Sequence, residues 1–144
     1  MFWFDRSDSR AVFVDERSDE YDLSDGRTLK VRPDRVACFT DLPFPDETFS
    51  LVVFDPPHIK RLALLGDMTK KYGALLPNWR DTLREGFSEC FRVLKPSGTL
   101  VFKWCEVEIP LADVLKLTVE RPLFGHQSGK KAQTHWVTFI RRSP

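Results

Sequence analysis

Short apolar runs alternate with polar, turn-rich stretches along most of this chain, and one longer segment carries apolar residues at helical spacing. Residues 11–14 (A-V-F-V) form the first run and stop at Asp15-Glu16-Arg17, which predicts a buried strand with acids at its carboxyl end. Residues 18–34 are polar. Within them Asp25-Gly26 signals a turn, and alternation across Thr28-Leu29-Lys30-Val31-Arg32 predicts a small exposed hairpin or edge strand. Residues 36–39 are a second short strand candidate. Prolines two apart in Asp41-Leu42-Pro43-Phe44-Pro45-Asp46-Glu47 predict a loop. Residues 51–54 (L-V-V-F) are the next strand, and they run straight into Asp55-Pro56-Pro57-His58.

Residues 59–77 mix Lys60, Arg61, Lys70 and Lys71 with leucines, two glycines and Tyr72, and predict a long loop with one helical turn. From Asn78, a candidate cap, Trp79, Leu83, Phe87, Phe91 and Leu94 recur at helical spacing and predict a helix to about residue 93 or 94. Lys95-Pro96-Ser97-Gly98 is expected to terminate it. A strand follows over 99–104 (T-L-V-F-K-W), then a helix opened by Pro110 and running to about 118. The polar, Gly-bracketed stretch 125–129 predicts a loop, and 134–140 a final strand. Strands separated by helices, short and apolar on both faces, predict an α/β fold with a mostly parallel sheet and ligands at the strand carboxyl ends. Asp15, Cys38 to Asp41, Asp55 and Trp104 to Glu106 all fall at or just past such ends.

Bulk properties narrow the picture without sharpening it. At 144 residues the chain fits one domain, taken as 1–144. A net charge of +1 gives no global pull toward nucleic acid or membrane, so any basic patch has to be local. Cys38, Cys90 and Cys105 are widely spaced and odd in number, which argues against a zinc site or disulfide framework and predicts a reducing, cytoplasmic setting. The opening residues turn charged too soon for a signal peptide, and no apolar run reaches the about 20 residues of a membrane span, so no membrane partner is expected.

The chemistry concentrates at Asp55-Pro56-Pro57-His58. An amine conjugated to a ring or carbonyl is a poor nucleophile because its lone pair is delocalised. Asp55 can accept one N–H and the carbonyl of Pro56 the other, favouring a more pyramidal nitrogen whose lone pair faces an electrophile. Proline stiffens the turn and brings no N–H to compete. His58 can stack on a flat target. Such a site works by orientation and electrostatics rather than by a strong base. The bland alternative is a strand-ending turn in which Asp55 caps a neighbour and the prolines merely break structure.

The order D-L-P-F-P-D-E-T-F-S-L-V-V-F-D-P-P-H, a helix, then F-R-V-L-K-P-S-G-T-L-V-F-K-W resembles a class I S-adenosylmethionine-dependent methyltransferase. The acid-Pro-Pro-aromatic element resembles that of the amino-methylating branch, which acts on adenine N6, cytosine N4 or an amide nitrogen. With M-F-W-F-D near the start and F-G-H-x-S-G-K near the end, the chain is similar to small bacterial and phage-associated methyltransferases over essentially its whole length. The resemblance implies a Rossmann-like sheet with flanking helices and S-adenosylmethionine as cofactor. It implies a catalytic clamp of Asp55, Pro56, Pro57 and His58. Asp15 or Glu16 matches the acid that binds the ribose hydroxyls, and the loop from Cys38 to Asp41, with Phe54, matches the adenine-contacting region. The family often has an acid where Cys38 stands, so Asp41 or the backbone takes that contact here. Lys103 and Trp104 are expected to line the target pocket, with core packing an equal alternative for Trp104; His135 and Trp136 are expected to be packing residues.

Family members also carry a strand and a Gly-containing loop ahead of M-F-W-F-D, whereas the first glycine here is Gly26. The fold is therefore expected to be N-terminally truncated: a start placed too late, a degraded copy, or a sheet completed by another chain. The expected function is methyl transfer to an amino nitrogen, with a nucleic-acid base as acceptor, DNA ahead of RNA or a protein amide. The alternative is a non-catalytic remnant or binding module that has lost the cofactor. Recognition of DNA would rest on residues 59–77, a partner or a homodimer, with Lys60, Arg61, Lys70 and Lys71 able to meet a nucleic-acid backbone. Residues 125–131 could present donors to a phosphate or substrate edge, or be a solvated loop.

Overall fold

The computed structural model describes residues 3–60, 67–128 and 133–143. Five short or medium strands come first: β1 (Val14–Asp15), β2 (Glu20–Asp22), β3 (Thr28–Lys30), β4 (Arg35–Val36) and β5 (Phe49–Phe54). Helices α1 (Asp67–Tyr72) and α2 (Trp79–Val93) follow, then β6 (Leu94–Cys105), α3 (Leu111–Leu115), β7 (Phe124–Ser128) and β8 (Thr134–Ile140). β5, β6, β8 and β7 form a four-stranded sheet in that spatial order; β1 pairs with β4, and β2 with β3. β1–β4 and β5–β6 are parallel, while β6–β8 and β7–β8 are antiparallel. The class is α/β, with the N-terminal strands in a separate parallel pair.

The core lies on one face of the four-stranded sheet. The α2 residues Trp79, Leu83, Phe87 and Cys90 pack on Phe54, Leu100, Phe102, Trp104, Val137 and Phe139, and Ile109, Val114 and Leu117 close the far end. Phe87 and Phe102 sit 4.9 Å apart. Alternation along β6 and β8 puts every second residue into this layer. The opposite face carries Leu51, Phe124 and Ile140, all exposed. β5 stands at the end of the sheet order although its sequence, F-S-L-V-V-F, has no charge and no proline.

Several predicted elements shift for identifiable reasons. The first strand is shorter and later than 11–14, and the second covers Arg35–Val36 rather than 36–39. Among the described residues these two strands pair only with each other, and the ladder runs just two residues. Asn78 occupies the cap position of α2 without a side-chain hydrogen bond; its carbonyl instead accepts from the N–H groups of Asp81 and Thr82. The predicted break at Lys95-Pro96-Ser97-Gly98 lies inside β6, because Leu94 pairs with Phe49 directly after the helix. Ser97 takes φ 62° there, and the ladder shifts register between Phe49 and Leu51. The helix expected from Pro110 stops at Leu115. The largest correction is β7, where 125–129 was expected to be a loop. Most of its residues, Phe124 included, are exposed because among the described residues it is an edge strand bonded only to β8.

Candidate functional site

Asp55 follows the last residue of β5, whose side chain, Phe54, is buried against Phe39, Phe87 and Phe102. The aromatic anchor fixes where the chain leaves the sheet, and parity turns Asp55 to the opposite face. The β5–β6 register sets Phe54 beside Phe102, so Asp55 and Lys103 emerge side by side. Lys103 Nζ donates to Asp55 Oδ2 at 2.8 Å, with the two side chains 22% and 33% exposed. The same row continues across the sheet, since Lys103 pairs with Trp136 and Trp136 with His126. Lys103 Nζ lies 5.9 Å from the Trp136 ring centroid, and the Trp136 indole N–H donates to Ser128 Oγ at 3.2 Å.

Pro56 is buried and Pro57 half-buried, packed near Gly73, whose φ of 71° turns the chain after α1. His58 lies 6.3 Å from the Trp104 ring and 6.0 Å from Tyr72. Burial lowers the basicity of His58, Asp55 acts in the opposite sense, and Lys103 adds to the lowering. Trp104 is fully buried, stacked on Phe102, with its indole N–H donated to the Ile109 carbonyl at 2.9 Å. The turn itself is tethered downstream. The Leu75 N–H donates to the Ile59 carbonyl at 2.7 Å, and the Lys60 N–H to Glu108 Oε2 at 2.8 Å. The arrangement can hold a flat amine: a carboxylate and a proline carbonyl stand at one strand end with His58 and Tyr72 beyond them, while Trp104 belongs to the core and backs His58 from there.

The residues expected at the cofactor are more scattered. Asp15 ends β1, but Arg17 grips it through Nε to Oδ1 and Nη2 to Oδ2, both 2.9 Å, and reaches the Lys70 carbonyl at 2.8 Å. Burial raises the Asp15 pKa, yet the Arg17 hydrogen bonds and charge outweigh it and hold the carboxyl below the usual range. Glu16 is exposed. Cys38 Sγ accepts from the Thr40 hydroxyl at 3.1 Å, and Asp41 is exposed on the turn that follows. That loop does meet the acceptor strand, because Phe39 packs edge-on to Phe54 at 5.3 Å. No hydrogen bond or ion pair among the described residues joins Asp15 or Glu16 to Asp55.

Sequence reasoning missed three participants. Tyr72 beside His58 and Glu108 beneath Lys60 carry no local signal. Trp136 was assigned to packing but is half-buried on the Asp55–Lys103 face; the alternation of β8 could have separated it from buried His135. His135 Nε2 stands 2.7 Å from Glu106 Oε1, an ion-pair distance without hydrogen-bond alignment. A cavity of about 640 Å3 opens at the β7–β8 edge, lined by Leu111, Gly125, Gln127 and His135 among others. Of the basic residues, Lys70 donates to the Asp22 carbonyl at 2.6 Å, a structural tie. Arg61, Gly129, Lys130 and Lys131, with Met1 and Phe2, lie outside the described residues. Among the described residues, no group of His, Cys, Asp and Glu is placed to hold a metal ion, and no helix is long and apolar enough to cross a membrane.

No protein-family model matches the chain, and no curated protein matches it. Solved structures do. The crystal structure of the PH0226 protein from Pyrococcus horikoshii OT3 aligns with a TM-score of 0.51 and 16% identity, over 72% of this chain and 57% of that one. SMU.776, a candidate methyltransferase complexed with SAH, aligns with a TM-score of 0.43 and 13% identity, over 65% of this chain and 26% of that one. The chain thus spans little more than half the length of the first neighbour. The likeness to PH0226 shows a shared fold.

Proposed function

We propose that this chain is an S-adenosylmethionine-dependent methyltransferase domain that transfers a methyl group to an amino nitrogen seated at Asp55. The observation that carries the reading is the strand-end site: a carboxylate leaving a strand paired in parallel with β6, a rigid Pro-Pro turn, and the His58 ring with Tyr72 beside it. Asp55 accepts one N–H of the acceptor and the Pro56 carbonyl the other, which orients the nitrogen lone pair. The hydrogen bonds strengthen as positive charge develops on the nitrogen, so they favour the transition state over the ground state. His58 and Tyr72 bound the plane of the acceptor. A nucleic-acid base, adenine N6 or cytosine N4, is the acceptor favoured here on the type of the D-P-P-H turn, ahead of an amide nitrogen.

S-adenosylmethionine supplies an electrophilic methyl group. Asp15 has the chemistry to hold its ribose, because a carboxylate gripped by one guanidinium keeps lone pairs for two hydroxyls. The Cys38 to Asp41 loop, with Phe39 against Phe54, is the surface assigned to the adenine. The methionine end has no assigned partner among the described residues. The reading also includes a further strand beyond the described residues, lying between β1 and β5. A two-residue parallel pair and an uncharged terminal strand both leave backbone groups that such a strand would satisfy.

A second reading, a methyltransferase-like binding module without catalysis, is favoured by the outer edge of β5, which has no strand partner among the described residues. Calorimetric titration with S-adenosylmethionine separates the two, using this chain beside a longer version that carries the preceding codons. Binding by either chain supports the enzyme, and binding by the longer one alone supports the added strand. Silence from both would sink the enzyme reading in favour of the binding module.

A further inference from the structure

We propose that Lys103 determines which class of amine the Asp55 clamp accepts: by neutralising the carboxylate in advance, it admits a neutral NH2 group conjugated to a ring or carbonyl and rejects an alkylammonium. The proposal rests on the reading of Asp55 as the acceptor clamp. Its basis is the 2.8 Å contact between Lys103 Nζ and Asp55 Oδ2. The contact is built by the sheet, because the parallel register that sets Phe54 beside Phe102 delivers the next residue of each strand to the same face. Both anchoring rings are buried, so the two side chains start from fixed roots.

A bare carboxylate in a half-buried cleft is an attractive site for a cation, and a lysine side chain or a free amine at neutral pH would enter it as one. Here the charge is already matched. An ammonium approaching Oδ1 would meet the Lys103 ammonium about 5 Å away, on the order of two hydrogen-bond lengths. A conjugated amine carries no such charge when it binds, so Lys103 does not oppose its entry and meets only the partial charge that develops on transfer. Lys103 engages Oδ2, which leaves Oδ1 and the Pro56 carbonyl for the two N–H groups of the acceptor. Two other titratable groups lie near the clamp, His58 and Glu108, and the Glu108 charge favours the charged form of His58. Burial of His58 disfavours its charged form, and Glu108 stands behind the turn with Oε2 bonded to the Lys60 N–H. The His58 and Tyr72 rings suit a planar acceptor better than an alkyl chain.

The experiment compares wild type, Lys103→Met and Lys103→Arg by NMR titration of the Asp55 and His58 signals with two probes, adenosine and n-butylammonium. The Met variant keeps length and packing but removes the charge, and Lys103→Gln serves if it does not fold. The expected result is a gain of about tenfold or more in n-butylammonium affinity for the Met or Gln variant, with adenosine affinity changed far less. Lys103→Arg should retain the wild-type preference, which a merely structural role for Lys103 would not predict. If n-butylammonium affinity does not rise on removing the charge, the proposal is overturned. S-adenosylmethionine calorimetry on the same samples judges the parent reading separately, since neither probe is the cofactor.

Discussion

Asp55 and His58 are three residues apart, yet one is half-exposed and bonded and the other is walled by rings. Their predicted behaviour differs accordingly. Asp55→Ala should abolish methyl transfer while shifting the melting temperature little, because a strand-end carboxylate is not core. Full activity of that variant on a methylated acceptor would refute the clamp. His58 makes a pH prediction with a definite sign. Burial disfavours its charged form, so its folded pKa lies below the ordinary value of 6.5. Between the two values the unfolded chain binds more protons than the folded one, and stability therefore rises with pH. The full contribution is present above about 6.5 and is lost as pH falls through the folded value. An imidazole titration by NMR should give a midpoint below 6.5, and His58→Gln should remove that part of the slope. The D-P-P-H turn was legible at this scale because each residue type states its own chemistry. The Lys103 partnership was not, because strand parity shows which face a side chain takes but not which strand stands beside it.

Among the elements, α2 and β8 were readable almost to the residue. In α2 the apolar positions recur at a single helical spacing, and β8 alternates cleanly between buried and half-buried positions. β7 was not readable, since an exposed edge strand has no apolar face to print in its sequence. The start of β6 was hidden for another reason: Pro96 and Gly98 announce a turn, and only pairing with β5 makes them strand. The α2 element also contains a glycine with a packing cause. A Cβ on Gly86 would lie 2.6 Å from the Phe39 ring and 2.9 Å from Phe54. Alanine would gain about 1 kcal/mol of helix propensity but would force those two rings apart, at about 1–3 kcal/mol. Gly86→Ala should therefore be neutral to destabilising in urea denaturation, against the usual stabilisation of a helix interior. A clear increase in midpoint would refute the close approach. Loop 41–46 is held to the same helix by Arg92, which donates to the carbonyls of Leu42 and Phe44 and to Asp46 and Glu89.

For the whole molecule, the α/β class followed from run lengths alone, while the split between the β1–β4 pair and the four-stranded sheet did not. Nothing in a short apolar run says which neighbour it will find. The strand order has a consequence for how the protein is made. β8 is last in chain order yet sits between β6 and β7, and Arg141 just beyond it bonds back to Gly98, Leu94 and Glu47. Synthesis is vectorial, so one edge of β6 and all of β7 wait unpaired until residues 134–140 leave the ribosome. β7 and β8 close locally as a hairpin, but β6 meets β8 across a long stretch of sequence, which slows that closure, and the waiting chain exposes backbone that can pair with a neighbour. A nascent chain arrested before residue 134 should be protease-sensitive throughout β6 and β7, and emergence of residues 134–140 should protect both strands together.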